Sequence, residues 1–295
     1  MKTKMAIVAP ASNFPLTPAK KSLIIKAGAS LGYQVIWGKH VQDCTGFLAG
    51  SDADRAEDIM HAFADKDIEI IMAIRGGYGC ARLLNKLDWK FIKNHPKIFV
   101  GFSDTTAFQN ALLAKAKLPS VTGFLAGYWT KQLPAQLKDN LDSVLKGNRV
   151  ILKNLTALTS GRAKGAMIGG CLSVFVGLLG TPYMPKLKNK ILLLEDVGEA
   201  PYKIDRMLTH LENAGVFDLV NGVVLGDFYR CFSCEDNKDE VNQVLNEHFG
   251  HLKIPVVSGV FYSHGAKKIV LPFGTKTIVD AKEGIVYIDG MKKKY

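Results

Sequence analysis

Apolar residues in the first half of the chain fall in short runs separated by stretches with helical spacing. Residues 5–9 form one apolar run and read as a first strand; 20–31 read as a helix and 33–37 as a strand. Over 53–64, Ile59, Met60 and Phe63 fall on one face, the spacing of an amphipathic helix. Only Glu69 interrupts 68–74, so this strand is expected to be buried on both faces. A helix starting over 81–87, a strand at 98–101 and a helix over 105–116 follow, and a helix at 137–145 closes this half. Strands alternating with helices predict a mainly parallel sheet with helices on both faces.

Residues 146–164 mix Gly, Asn, Lys, Ser and Thr and read as a crossover to a second domain. Beyond it the texture changes. Residues 169–180 are small and apolar, 191–194 form an apolar strand, and 204–214 form a helix that ends at Gly215, a residue suited to the C-cap. A strand at 220–225, a helix around 240–249 and short strands at 256–260, 269–271, 277–279 and 285–288 make the end of the chain β-rich.

The chain has 295 residues, which favours two domains, and 47% hydrophobic content, enough for a core. Its net charge of +11 is spread along the sequence, densest at Lys292-Lys293-Lys294. No basic stripe interleaved with aromatics accompanies it, so no nucleic-acid partner is expected. No apolar stretch approaches the roughly 20 residues of a membrane span, and the run before Pro10 is too short for a signal segment. The five cysteines, 44, 80, 171, 231 and 234, form no paired framework, which fits a reducing, cytoplasmic setting. Cys231 and Cys234 form a C-x-x-C in an expected loop, without the further ligands zinc needs, so no metal is expected.

Four local patterns carry candidate chemistry. Ser103 leaves the 98–101 strand and enters a helix; it reads as a helix cap or as an exposed nucleophile, in a pattern like a nucleophile elbow that lacks the second glycine. The glycine-rich Arg75-Gly76-Gly77-Tyr78-Gly79 follows a strand. It fails the dinucleotide fingerprint, because Arg82 stands where the third glycine belongs, and leaves a tight turn or an oxyanion donor such as Gly77 N–H. The N–H after the serine, on Asp104, is the second donor. Glu195 and Asp196 end a strand, where α/β sites lie, with Glu199 and Asp205 nearby. His264, followed by a glycine in a loop, is the histidine placed like an active-site residue. The order Ser, Glu, His suits a triad.

The chain resembles the LD-carboxypeptidase family of serine peptidases over nearly its full length. The residues that carry this are Leu48-Ala49-Gly50-Ser51-Asp52 with Arg55, Ile74 to Gly79 with Arg82-Leu83-Leu84, and Gly101-Phe102-Ser103-Asp104-Thr105-Thr106-Ala107. Gly169-Gly170, the block from Leu194-Glu195-Asp196-Val197-Gly198-Glu199 to Leu208, and His264-Gly265 with Leu271-Pro272-Phe273-Gly274 complete it. The family often has Gly-Gly-Asn where this chain has Gly169-Gly170-Cys171, and His-Gly-Pro where it has Thr122-Gly123-Phe124.

The resemblance implies a doubly wound, mainly parallel α/β domain over 1–150 and a smaller β-rich C-terminal domain over 164–295. It also implies a homodimer with its site in the cleft. Ser103 matches the nucleophile, His264 the base, and Glu195 the acid, with Glu199 as rival. Arg75, Glu199, Tyr202 and Arg206 are the substrate-binding candidates. No cofactor is implied. The implied reaction releases terminal D-alanine from a muropeptide tetrapeptide during cell-wall recycling. The alternatives are an immunity peptidase acting on microcin C-like peptide–nucleotides and, in another class, a non-catalytic nucleotide-binding module.

Overall fold

The computed structural model describes residues 3–234 and 239–291; Lys292-Lys293-Lys294 lies outside them. The first half contains β1 (Lys4–Val8), α1 (Pro18–Ser30), β2 (Gln34–Trp37), α2 (Asp52–Ala64), β3 (Ile68–Ala73), α3 (Trp89–Asn94), β4 (Ile98–Gly101), α4 (Thr106–Ala111), β5 (Ser120–Thr122) and α5 (Ala135–Leu145). Then come β6 (Val150–Leu152), β7 (Thr156–Thr159), β8 (Arg162–Cys171), α6 (Leu172–Val176), β9 (Lys190–Val197), α7 (Pro201–Asn213), α8 (Val216–Leu219) and β10 (Gly222–Tyr229). The chain finishes with α9 (Glu240–Phe249), β11 (Val256–Ser258), β12 (Leu271–Phe273), β13 (Lys276–Asp280) and β14 (Ile285–Ile288).

The first sheet runs β12-β5-β4-β3-β1-β2, with β1 to β5 parallel and β12 antiparallel at the edge. Its direction of winding reverses between β1 and β3, the place where α/β sheets open a crevice at their carboxyl ends. β3 is fully buried but for Glu69, which explains its near-continuous apolar run. The second sheet has eight strands, β6-β14-β13-β8-β9-β10-β11-β7, with β8 to β11 parallel at its centre and antiparallel strands on both sides.

Several expected elements differ. No helix runs over 81–87; a single 3₁₀ turn, Cys80–Leu83, stands there, because Asp88 caps a new helix by accepting the Phe91 N–H at 2.9 Å. The expected crossover at 146–164 is built into the second sheet as β6, β7 and the start of β8, held by pairing to strands more than 90 residues away. The 269–271 strand is displaced to β12, which joins the first sheet although it lies beyond residue 164. The 191–194 strand runs on through Glu195 and Asp196 to Val197 as β9, and Asp227 to Tyr229 extend β10 past the expected end at 225.

Candidate active site

The carboxyl ends of both sheets face one cavity of about 780 Å³. Arg75, Gly76 and Gly77 follow β3, Ser103 follows β4, and Val197 and Tyr229 end β9 and β10 on its wall. Ser103 joins extended Phe102 to a helical run that continues through α4 to Ala116. Its φ is 64°, a left-handed conformation that costs a non-glycine residue on the order of 1–3 kcal/mol. Such strain persists where the surroundings over-determine it. Here Phe102 is fully buried, its ring 5.2 Å from that of Tyr262 and 4.5 Å from that of His264.

The helix is stapled to the second sheet. Asn110 Nδ2 donates to Gly169 O at 2.8 Å, and Gly169 N–H donates back to Asn110 Oδ1 at 3.2 Å. Thr106 Oγ1 accepts from Cys171 N–H at 3.1 Å. A Cβ on Gly170 would lie 2.5 Å from that hydroxyl, so only glycine lets β8 approach. The pair Gly169-Gly170 thus sets where Ser103 stands relative to Glu195, which Cys171 faces in register.

Gly76 presses on the other side. A Cβ there would lie 2.7 Å from Ser103 Cβ and 2.8 Å from its Oγ. Gly76→Ala is therefore expected to fold yet lower kcat by about 100-fold, since a misplacement near 1 Å costs that much. Steady-state kinetics beside circular dichroism check it; an unchanged kcat would mean that Ser103 is not held against this loop. Asp104 uses its carboxylate elsewhere, accepting Cys80 N–H at 2.8 Å, and burial pushes its pKa up. Its backbone N–H lies in the first helical turn, where such groups have no intrahelical acceptor.

Glu195 is completely buried, and its Oε2 lies 2.7 Å from His264 Nδ1. Burial drives the Glu195 pKa up, and the imidazole N–H partly counters it. His264 Nε2 makes no hydrogen bond to the protein, and the ring lines the same cavity as Ser103. The serine–imidazole hydrogen bond is not formed here. Glu199 instead pairs with Lys203 at 3.2 Å and is not on the cavity wall. Of the substrate-binding candidates, Arg75 lines the cavity; Tyr202 is exposed, stacks under Arg206 at 5.8 Å, and neither reaches that wall.

Sequence reasoning passed over Lys268, half-buried on the cavity wall, which burial pulls down to about 8. A lysine four residues past a histidine in a loop carries no signal of its own. The five cysteines are free; Cys231 is buried, which pushes its thiol up to about 12. Possible ligand atoms of His40, Asp54 and Glu57 lie within 4.8 Å of one another, a juxtaposition that sequence spacing hid, but none of the three lines the cavity. Among the described residues no helix is long and apolar enough to cross a membrane.

The LD-carboxypeptidase N-terminal domain model matches residues 5–123, and the C-terminal domain model matches 164–279. The chain is 30% identical to a "Probable murein peptide carboxypeptidase" of Bacillus subtilis, over 97% of its length and 91% of the relative's. It is 28% identical to the microcin C7 self-immunity protein of Escherichia coli, covering 91% of this chain and 88% of that one. The crystal structure of muramoyltetrapeptide carboxypeptidase from Oxalobacter formigenes superposes with a TM-score of 0.86 at 31% identity, over 98% of this chain and 99% of that one.

Proposed function

The chain belongs to the LD-carboxypeptidase family of serine peptidases, and on that premise we propose that it hydrolyses an L,D-peptide bond to release terminal D-alanine from a muropeptide tetrapeptide. The observation that carries the reading is the buried Glu195–His264 pair at 2.7 Å, opening on the cavity that holds the strained Ser103. In this reading Ser103 Oγ attacks the scissile carbonyl carbon while His264 Nε2 takes its proton. Glu195 holds Nδ1–H and stabilises the imidazolium that forms. The backbone N–H groups of Gly77 and Asp104 receive the oxyanion. His264 then gives its proton to the leaving D-alanine amine. Water, deprotonated by the same imidazole, then attacks the acyl carbon, and the imidazolium returns its proton to Ser103 Oγ as the ester bond breaks. None of these steps uses a metal. A nucleotide-binding module would give the carboxylate–imidazole pair and Ser103 no shared task.

The five free cysteines support a cytoplasmic setting. The resemblance supports a homodimer. The likeness to the microcin C7 self-immunity protein supports a second reading, cleavage of a microcin C-like peptide–nucleotide. Incubating the enzyme with a tetrapeptide ending in D-alanine and, separately, with a peptide–nucleotide, both in EDTA, separates them by mass spectrometry. Release of D-alanine is expected. Cleavage of the peptide–nucleotide alone would put the second reading first, and activity that needs zinc would overturn the serine mechanism.

A further inference from the structure

We propose that Lys268 reads the free carboxylate at the substrate's C-terminus and thereby makes the cavity a carboxypeptidase site; the proposal rests on the hydrolase reading above. The cavity wall carries Arg75, Lys131 and Lys268 and, among the described residues, no aspartate or glutamate. The wall is therefore built for an anionic ligand. In a substrate that loses one terminal residue, the scissile carbonyl and the terminal carboxylate sit on adjacent residues. Their α-carbons are about 3.8 Å apart. The cation that reads the carboxylate must accordingly lie beside the reacting groups.

Lys268 has that position. Its Nζ donates to Ser263 O at 3.0 Å, one residue before the candidate base. It lies 5.0 Å from the Tyr128 ring and 6.0 Å from the Phe102 ring, and Phe102 itself packs 4.5 Å from the His264 ring. An ammonium has three N–H donors. One is spent on Ser263 O, and no carboxylate among the described residues forms an ion pair with the group. Arg75 is less suited: it is exposed, and its Nη1 is committed to Asn13 O at 2.8 Å. Lys131 is exposed as well.

The setting of Lys268 makes its charge responsive. Burial and Lys131 work against the ammonium, Glu195 and Asp227 work for it, and its pKa stands at about 8. Preference for a free carboxylate is therefore present below that pH and weakens as pH rises through it. His264 faces the same cavity, so the part of the pH dependence that belongs to the lysine is the part that Lys268→Met removes.

The test compares a tetrapeptide acid with its C-terminal amide. On the parent enzyme and on Lys268→Met, a side chain of similar length without charge, KM and kcat are measured for both. Lys268→Met is expected to raise KM for the acid on the order of 10- to 100-fold, the worth of a charge-assisted hydrogen bond, and to leave the amide nearly unchanged. Lys268→Arg should restore most of the preference. The same acid-to-amide ratio is read by calorimetry in Ser103→Ala, with and without Lys268→Met. A preference that survives Lys268→Met in binding overturns the proposal. A parent enzyme that binds the acid preferentially through Lys268 yet never cleaves it sinks the hydrolase reading alone.

Discussion

Ser103→Ala is expected to abolish turnover, with kcat falling by about a million-fold, the loss seen when the nucleophile of subtilisin is removed. The protein should still fold. Alanine and serine bear similar strain at φ 64°, and Ser103 spends no hydrogen bond that the fold needs. Ser103→Gly sharpens the expectation, because glycine adopts that conformation freely. It should melt higher than the parent while being equally inactive. Such a divergence would identify the left-handed serine as strain kept for its chemistry. Steady-state kinetics and thermal unfolding of the three proteins make the measurement. A kcat in Ser103→Ala above a tenth of the parent's would remove the serine from the mechanism.

Glu195→Gln is expected to lower kcat by about ten-thousand-fold with KM little changed. The amide is nearly isosteric, so the core around a fully buried side chain is preserved. What changes is the tautomer. A carboxylate accepts Nδ1–H and leaves Nε2 free to take the serine proton; an amide NH₂ favours the opposite arrangement, and in an unrelated triad that change alone cost about this much. Glu199→Gln is the control. Glu199 pairs with Lys203 outside the cavity, so Glu199→Gln should leave kcat close to the parent's. Kinetics of both variants on one peptide decide between them. A collapsed kcat for Glu199→Gln beside a normal one for Glu195→Gln would exchange the two roles.

Much of this arrangement is legible in the chain itself. The parallel sheet is readable because strands buried on both faces must be apolar throughout, as β3 and the Ile191 to Leu194 segment of β9 are. The turn from β4 into the helix is readable because a serine that follows an apolar strand and precedes a helical stretch fits either a helix cap or a nucleophile. Family motifs supplied the order of Ser103, Glu195 and His264. Local pattern misjudged residues 146–164. β6 and β7 are short, partly exposed strands whose pairing comes from distant partners, so they read as a polar linker. β12 was misplaced for the same reason, since its partner β5 is three residues long and some 150 positions away.

The residue types and their order along the chain follow from hydrophobic patterning and short-range backbone preference, which act over a few residues and leave their mark locally. The tertiary structure alone decided which of them meet. Glu195 and His264 are 69 residues apart, and their 2.7 Å contact exists because β9 fixes one and the connection from β11 in the second sheet to β12 in the first delivers the other. Lys268 is an ordinary surface lysine by sequence; folding half-buries it between Phe102 and Tyr128 and lowers its pKa. Burial and long-range proximity depend on the whole chain's packing, and the free energy of a charge depends on them rather than on its sequence neighbours.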